Sequence, residues 1–486
     1  MGRRDENRIS LDFIGNNAHE VTGSMTLLEV GNSKKYLLEC GLRQSSNKID
    51  DLKVNSARFP FKTRDINAVF AFHSHIDHIG RIPLLIKRGF NNNIYVPKGN
   101  KEIIEALLMD SQKILQNDIR EISKKNSSVS EGLYSIEDVR KAIDLMIELE
   151  YNTKYKIDEN LTVELIHNSH IVGASSGVLW AKANNNSVKK ILYTSDIGNL
   201  EMEELNPYID NFKAIDKCNY IISESTYSDT DKTRQSKKKD RYKDIEKIQS
   251  AIQTVCKDNK GRILFPTFSY GRCQTIMTLL YELYANDKEF NIPIYVDGKL
   301  IHKINRAFSE ILTDDKLELW TKVYNWNQFK YVKETEESKL AVSKNESCIC
   351  LGSGGFLQGG GRSIPWAKSI LPRRKDMIIF CGYGGNEDSI IYRIKHPEKH
   401  KIITIDNKKC KNNCAVMSLK SFSSHIQHDE LLDLLGNKIN VDNKIFLVHG
   451  NMDTKISFSK ELKTLLQKNN KTTGVIVINK GTKVSL

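Results

Sequence analysis

The segment INAVFAFHSHIDHIG, residues 66–80, constrains this chain more than any other stretch. Its apolar half reads as a short buried strand. Straight after it come His73, His75, Asp77 and His78, with Gly80 closing the run. In an extended segment His73 and His75, two positions apart, point the same way. Asp77 and His78 then lie past a bend. Neutral imidazole and carboxylate are ligands for zinc and similar metals. A lone histidine is ordinarily a core or surface residue, but four such groups after one apolar strand predict a metal site. A single ion needs three or four protein ligands, and a catalytic one leaves a position open.

Other apolar strands end in the same kind of residue. LTVELIH (161–167) leads to His170, KKILYTSD (189–196) ends on Asp196, and KIFLVHGN (444–451) carries His449. A lone Asp or His is usually structural; it is their shared placement after strands that raises them together. The N-terminal part reads as strands at RISLDFIG, SMTLLEVG and KKYLLECG. Ile103, Ile104, Leu107, Leu108, Ile114 and Leu115 have helical spacing. SIEDVRKAIDLMIELE (135–150) opens with the capping-box pattern of Ser135 and Asp138 and predicts another helix. Helix and strand alternate from about 226 to 420, through GRILFPTF, IPIYVDG and MIIFCGYGG. The expected fold is α/β, with polar clusters just after strands, where open sheets place their sites.

At 486 residues, with 39% apolar and 27% charged side chains, the chain has the size of a soluble two-domain protein. It contains no apolar run long enough for a membrane span, and MGRRDENRIS is not followed by the apolar core of a secretory signal. The nine cysteines are scattered, and neither Cys348/Cys350 nor Cys410/Cys414 has the second pair of a zinc knuckle. An intracellular location is expected, cytoplasmic or, in a eukaryote, nuclear. The net charge of +13 favours a polyanionic partner such as nucleic acid, although a general richness in Lys would produce it too. The densest basic run, KTRQSKKKDRYK (232–243), reads most simply as a solvated loop or helix face.

HSHIDHIG resembles the H-x-H-x-D-H signature of the metallo-β-lactamase superfamily, and His170, Asp196 and His449 follow in the order of its later motifs. Further matches resemble its β-CASP branch of nucleases: ESTYSD (224–229) with Glu224, FSSHIQHDEL (422–431) with His425, and LVHG with His449. GRILFPTFSYGRCQ (261–274), GSGGFLQGGGRS, IIFCGYGG and HEVTGS (19–24) are similar to other segments of that branch.

The resemblance implies an αββα sandwich with an inserted α/β β-CASP domain. The expected division is 1–225 for the first part of the metallo-β-lactamase domain, 226–420 for the insert and 421–486 for the completion, with the active site in the cleft between domains. It implies two Zn²⁺ ions, one on His73, His75 and His170, the other on Asp77, His78 and His449, with Asp196 bridging. The implied chemistry is hydrolysis of RNA phosphodiesters through a hydroxide between the two metals. His425 is the implied general acid, with Glu224 keeping it oriented and protonated. Asp77, His425 and Glu224 thus form the expected catalytic set. As a helix-start residue His425 also has a purely structural reading, and His428 is expected at the surface. Arg272, Ser353 and Arg362 are candidate RNA-phosphate contacts beside glycine-rich backbone, or only loop and capping residues.

The chain departs from the family pattern at Glu39, where Asp is usual, and at Gly298, Ile426, Gln427 and Asn451. None is among the implied metal ligands. The resemblance points to a zinc-dependent endoribonuclease of bacterial, archaeal or pre-mRNA 3′-end-processing type. Single-stranded RNA is the expected partner, with a homodimer and RNA-processing proteins as further options. The alternatives are a 5′-to-3′ exoribonuclease, a DNA nuclease of the same branch, a non-catalytic RNA-binding pseudo-nuclease subunit, and a hydrolase of small thioesters or lactams. DNA-processing relatives tend to carry an apolar residue at the position of His449, and non-catalytic relatives usually lose ligands.

Overall fold

The computed structural model describes residues 8–31, 34–45, 47–123, 132–198, 212, 215, 217–228, 238–357, 360–382, 387 and 389–486. Residues 232–237 of the basic run, Asp229 of ESTYSD, and residues 358–359 and 383–385 of the two glycine-rich segments lie outside this set. The chain divides into two compact units: Met1–Leu200, Asn206–Gln235 and His425–Leu486 in one, Glu201–Leu205 and Ser236–Ser424 in the other.

The first unit holds two seven-stranded sheets. One runs, in spatial order, Thr482–Ser485, Ile9–Phe13, Thr26–Val30, Lys34–Leu38, Ala68–Phe70, Ile94–Pro97 and Met146–Leu149. The other runs Gly474–Val477, Val441–Leu447, Cys218–Ser223, Val188–Tyr193, Ser175–Lys182, Leu161–His167 and Lys154–Lys156. Side chains alternate across each strand and both faces are covered. Tyr36, Leu38 and Phe70 of one sheet share a core with Val163, Ile191, Tyr193, Ile222 and Phe446 of the other. The intervening Leu37, Val69, Ile94 and Val96 point outward, onto Ile104 and Leu108 of helix Asn100–Ser123 and Val139 of helix Ile136–Asp144. On the far side Leu192, Ile221 and Ile445 pack on Phe458 and Leu462 of helix Met452–Lys468. Burial on both faces is why these strands read as continuous apolar runs. Each fully buried Leu, Ile, Val or Phe contributes about 1.5–3 kcal/mol, so the layers are held without the polar loops at their ends. The result is an αββα sandwich.

One expected helix is shorter than its pattern. Ser135 and Asp138 make the capping box, but the helix stops at Asp144, and Met146–Leu149 is a strand instead. It pairs in parallel with Ile94–Pro97, whose open edge needed a partner: Ile94 N–H donates to Leu145 O (2.9 Å) and Lys98 N–H to Leu149 O (3.0 Å).

The second unit is built on a six-stranded, all-parallel sheet, in the order Phe329–Val332, Ile294–Asp297, Cys348–Ser353, Arg262–Thr267, Met377–Cys381 and Ala415–Leu419. Helices follow its strands. Arg262 is fully buried, and its guanidinium donates from Nε and Nη2 to Asp376 Oδ2 at 3.0 and 2.8 Å. Among the described residues no helix is long and apolar enough to cross a membrane.

Candidate metal centre

The ligand turn begins three residues past strand Ala68–Phe70. His73 sits in the loop, His75 precedes the one-turn helix Ile76–Ile79, and Asp77 and His78 lie within that turn. Backbone clamps hold it: Ser24 N–H donates to Asp77 O (2.8 Å), Cys40 N–H to His78 O (2.8 Å) and Leu42 N–H to Ile76 O (3.0 Å). The fit leaves no room at Gly41, where a Cβ would stand 1.5 Å from Asp77 O.

His170, Asp196, Glu224 and His449 each follow a strand of the second sheet. The chain turns sharply at these strand ends, with left-handed φ at Ser169 (61°), Ser195 (51°) and His449 (53°), and at Glu39 (62°) after strand Lys34–Leu38. Left-handed backbone is costly for a non-glycine residue and clusters at functional sites. Asn168 ties two of the turns, its amide donating to Asp196 O at 2.7 Å and its Oδ1 accepting from His170 N at 3.2 Å.

The seven side chains expected from the sequence come together. His73, His75, His170 and Asp196 offer one set of donor atoms within 4.8 Å of one another, and Asp77, His78 and His449 a second. Asp196 Oδ2 lies 3.6 Å from His73 Nε2, 3.6 Å from His170 Nε2 and 3.2 Å from His78 Nε2. Asp77 Oδ2 is 3.5 Å from both His78 Nε2 and His449 Nε2. Such gaps are long for hydrogen bonds. They match the edge of a tetrahedron around a zinc-sized ion, roughly 3.3 Å for bonds of 2.0–2.1 Å. Among the described residues, His73 Nε2, His78 Nε2, His449 Nε2 and Asp196 Oδ1 are buried with no hydrogen-bond partner. Buried polar atoms are rarely left so. These residues fit metal ions.

The groups behind the donors set which nitrogen faces inward. Ser195 Oγ donates to Glu39 Oε1 (2.6 Å) and stands 3.0 Å from His73 Nδ1. With its proton committed to the carboxylate, Ser195 must accept from His73 Nδ1–H, which leaves the Nε2 lone pair free. Glu39 Oε2 accepts from Tyr193 Oη (2.7 Å) and lies 2.7 Å from His78 Nδ1. Thr226 Oγ1, 2.8 Å from His449 Nδ1, turns that ring likewise. Burial holds His73, His75 and His170 below the ordinary histidine pKa, His75 at about 4, so they are neutral as ligands must be. Burial also works against a proton on His78, but Glu39, Asp196 and Asp77 win and raise it well above the usual value. A bound cation would neutralise the same carboxylates and release that proton.

Beside this cluster, His425 Nδ1 lies 3.0 and 3.3 Å from the two oxygens of Glu224, and its ring centroid is 4.6 Å from that of His170. Glu224 is buried and held by Ile197 N–H at 2.5 Å. Burial lowers the His425 pKa, but the Glu224 charge, with Asp196 and Asp77 beyond it, overrides burial and lifts it to about 9. His428 is not at the surface: it is 5% exposed, between Asp429 and Glu461 and edge-on to Phe458.

In the second unit Arg272 opens helix Arg272–Tyr284, and its Nε and Nη1 are buried without hydrogen-bond partners among the described residues. Ser353 ends strand Cys348–Ser353. Arg362 is engaged, donating to Thr335 Oγ1 at 3.0 Å and to Lys333 O at 3.4 Å. Tyr193, Ser195, Thr226 and Asn168 went unremarked in the sequence. Ser195 adjoins Asp196, and Thr226 and Asn168 lie two residues from Glu224 and His170, but nothing in their spacing marks the role.

Three family models match the chain in sequence order: the metallo-beta-lactamase superfamily over residues 20–153, the Beta-Casp domain over 273–388 and the Zn-dependent metallo-hydrolase RNA specificity domain over 411–477. The chain is similar to transcription termination factor FttA of Methanocaldococcus jannaschii, 26% identical over 95% of this chain and 70% of that one. It is also similar to ribonuclease TTHA0252 of Thermus thermophilus, 26% identical over 92% and 94% of the two chains. The Integrator complex subunit 11 homolog of Dictyostelium discoideum is 25% identical over 89% of this chain and 56% of its own length. The ordered domain matches, the αββα sandwich and the clustered His and Asp donors agree: the chain belongs to the metallo-β-lactamase superfamily, in its β-CASP branch of RNA-acting metallo-hydrolases.

Proposed function

We propose that this chain is a two-zinc endoribonuclease that hydrolyses single-stranded RNA to 5′-phosphate and 3′-hydroxyl ends. The reading rests on the seven converging donors with an acid–carboxylate pair beside them. His73, His75 and His170 would hold one ion, Asp77, His78 and His449 the other, with Asp196 shared. Bound there, the ions would supply a nucleophile from water at neutral pH and offset the charge of the phosphate. His425 turns Nδ1 to Glu224, so its Nε2–H is the proton available to the departing ribose 3′ oxygen, which is a poor leaving group as an alkoxide. Glu224, fixed by the Ile197 amide, keeps that imidazole charged and aimed. Asp77, held through its backbone by Ser24, sets the spacing of His78 and His449. Arg272, Ser353 and Arg362 are the candidate phosphate contacts, beside glycine-rich backbone.

RNA as substrate is supported by the RNA specificity match and by the ribonuclease among the relatives. The test is metal analysis of the purified protein together with cleavage of single-stranded RNA labelled at either end. Close to two zinc ions per chain, internal cuts and 5′-phosphate products are expected, with His75→Ala losing metal and cleavage together. Full metal loading with intact RNA would overturn the reading.

A further inference from the structure

Phe268 and Phe356 are 47% and 50% exposed, among the most exposed large apolar side chains described. They touch each other, with ring centroids 5.0 Å apart and planes at 76°. Phe268 follows strand Arg262–Thr267 and Phe356 follows strand Cys348–Ser353, its neighbour in the parallel sheet. The pair therefore stands at the C-terminal edge of the sheet, where α/β folds present ligands.

The exposure is built into the loop. Leu357 is 1% exposed and packs in the core of this unit, in a left-handed conformation (φ 55°), its N–H donating to Gly354 O at 2.9 Å. Ser363 Oγ donates to the same carbonyl at 2.7 Å. Anchoring Leu357 inward turns Phe356 outward. Gly355 lets the two loops touch, since a Cβ there would stand 3.3 Å from Phe268 N.

Two half-exposed phenylalanines offer about 200 Å² of apolar surface. A stable protein interface needs about 800 Å² per partner, whereas one or two nucleobases need no more than the pair presents. Unstacked bases of single-stranded RNA stack on such aromatic faces. The chain also carries a net charge of +13, which attracts a polyanion. We infer that Phe268 and Phe356 form a stacking platform for an unpaired nucleobase of the RNA. The inference rests on the ribonuclease reading for its ligand and adds a base contact to it.

The test uses the full chain, metal-loaded and carrying His425→Ala to halt turnover. Fluorescence anisotropy measures its affinity for a set of single-stranded RNAs, one intact and the others each with one abasic position. One or two abasic positions should weaken binding about 5- to 100-fold. Adding F268A and F356A should weaken binding of the intact RNA to the same degree and abolish the penalty at those positions, while F268Y with F356Y restores both. Equal affinity of the Phe and Ala proteins for intact RNA would overturn the platform. So would conversion of a dimer to a monomer by F268A and F356A with RNA affinity unchanged, which would assign the pair to a protein contact. Cleavage of the intact RNA by the wild-type protein is measured in parallel: its absence would count against the ribonuclease reading, whereas the abasic comparison alone judges the platform.

Discussion

Ser195 stands between Glu39 and His73, donating to the carboxylate at 2.6 Å and lying 3.0 Å from the imidazole Nδ1. Glu39 Oε1 itself is 3.8 Å from His73 Nδ1, too far for a direct bond. The hydroxyl thus passes the orienting influence of the acid to the ring. Groups behind a ligand typically control 10- to 100-fold of metal affinity. Ser195→Ala should lose about 10-fold, measured by competition with a chelating dye, and Ser195→Thr should recover most of it. Full affinity in the alanine variant would remove Ser195 from the chain of contacts.

His425→Ala should keep its metal and lose about 10²- to 10⁴-fold in kcat, the usual worth of a general acid. As the proposed general acid, His425 would have to be protonated to act. With Glu224 holding its pKa up, activity should persist at neutral pH and fall on the alkaline side as that proton is lost. Removing the charge opposite it, in Glu224→Gln, should move the alkaline limb to lower pH. A limb that does not move would show that another group titrates there.

Lys455 is fully buried, and its Nζ donates to Ala18 O and Ile478 O, pinning helix Met452–Lys468 to the segments that follow strands Ile9–Phe13 and Gly474–Val477. Burial lowers its pKa from 10.5 to about 8. Between those values the unfolded chain binds the proton and the folded chain does not, so stability gains with rising pH across that window. Relative to Lys455→Met, the wild type should gain up to roughly 3 kcal/mol from pH 8 to pH 10.5 and nothing below pH 7. Urea unfolding of both proteins at several pH values measures this, and parallel curves would contradict it.

Asp376→Ala should destabilise the second unit by about 3–5 kcal/mol, because it leaves the buried Arg262 guanidinium unpaired. Replacing both residues with apolar ones of similar size should cost much less. Denaturant melts monitored in this unit would distinguish the two, and a mild effect of Asp376→Ala alone would mean that Ser369 and Val342 suffice as partners of Arg262.

The candidate ligands were legible because each is a chemically distinctive residue placed just after an apolar strand, a local pattern that survives without knowledge of the fold. The orienting groups were not. Glu39 lies more than 150 positions from Tyr193 and Ser195, and it looked like a departure from the family pattern when its reach in fact serves three partners. Met146–Leu149 carried the same apolar composition as a helix end, and only the open edge of Ile94–Pro97 made it a strand. His428 looked like a surface residue until Phe458 and Glu461 covered it.

Local chemistry alone therefore determined which residues could bind metal, which segments would be buried strands, and the α/β class. The tertiary structure decided which imidazole nitrogen faces inward, how His425 acquires its proton, and which aromatic pair is left in solvent. Periodicity and residue type act along the chain, whereas hydrogen-bond direction, burial and the field of a distant carboxylate act through space and exist only once the strands have packed.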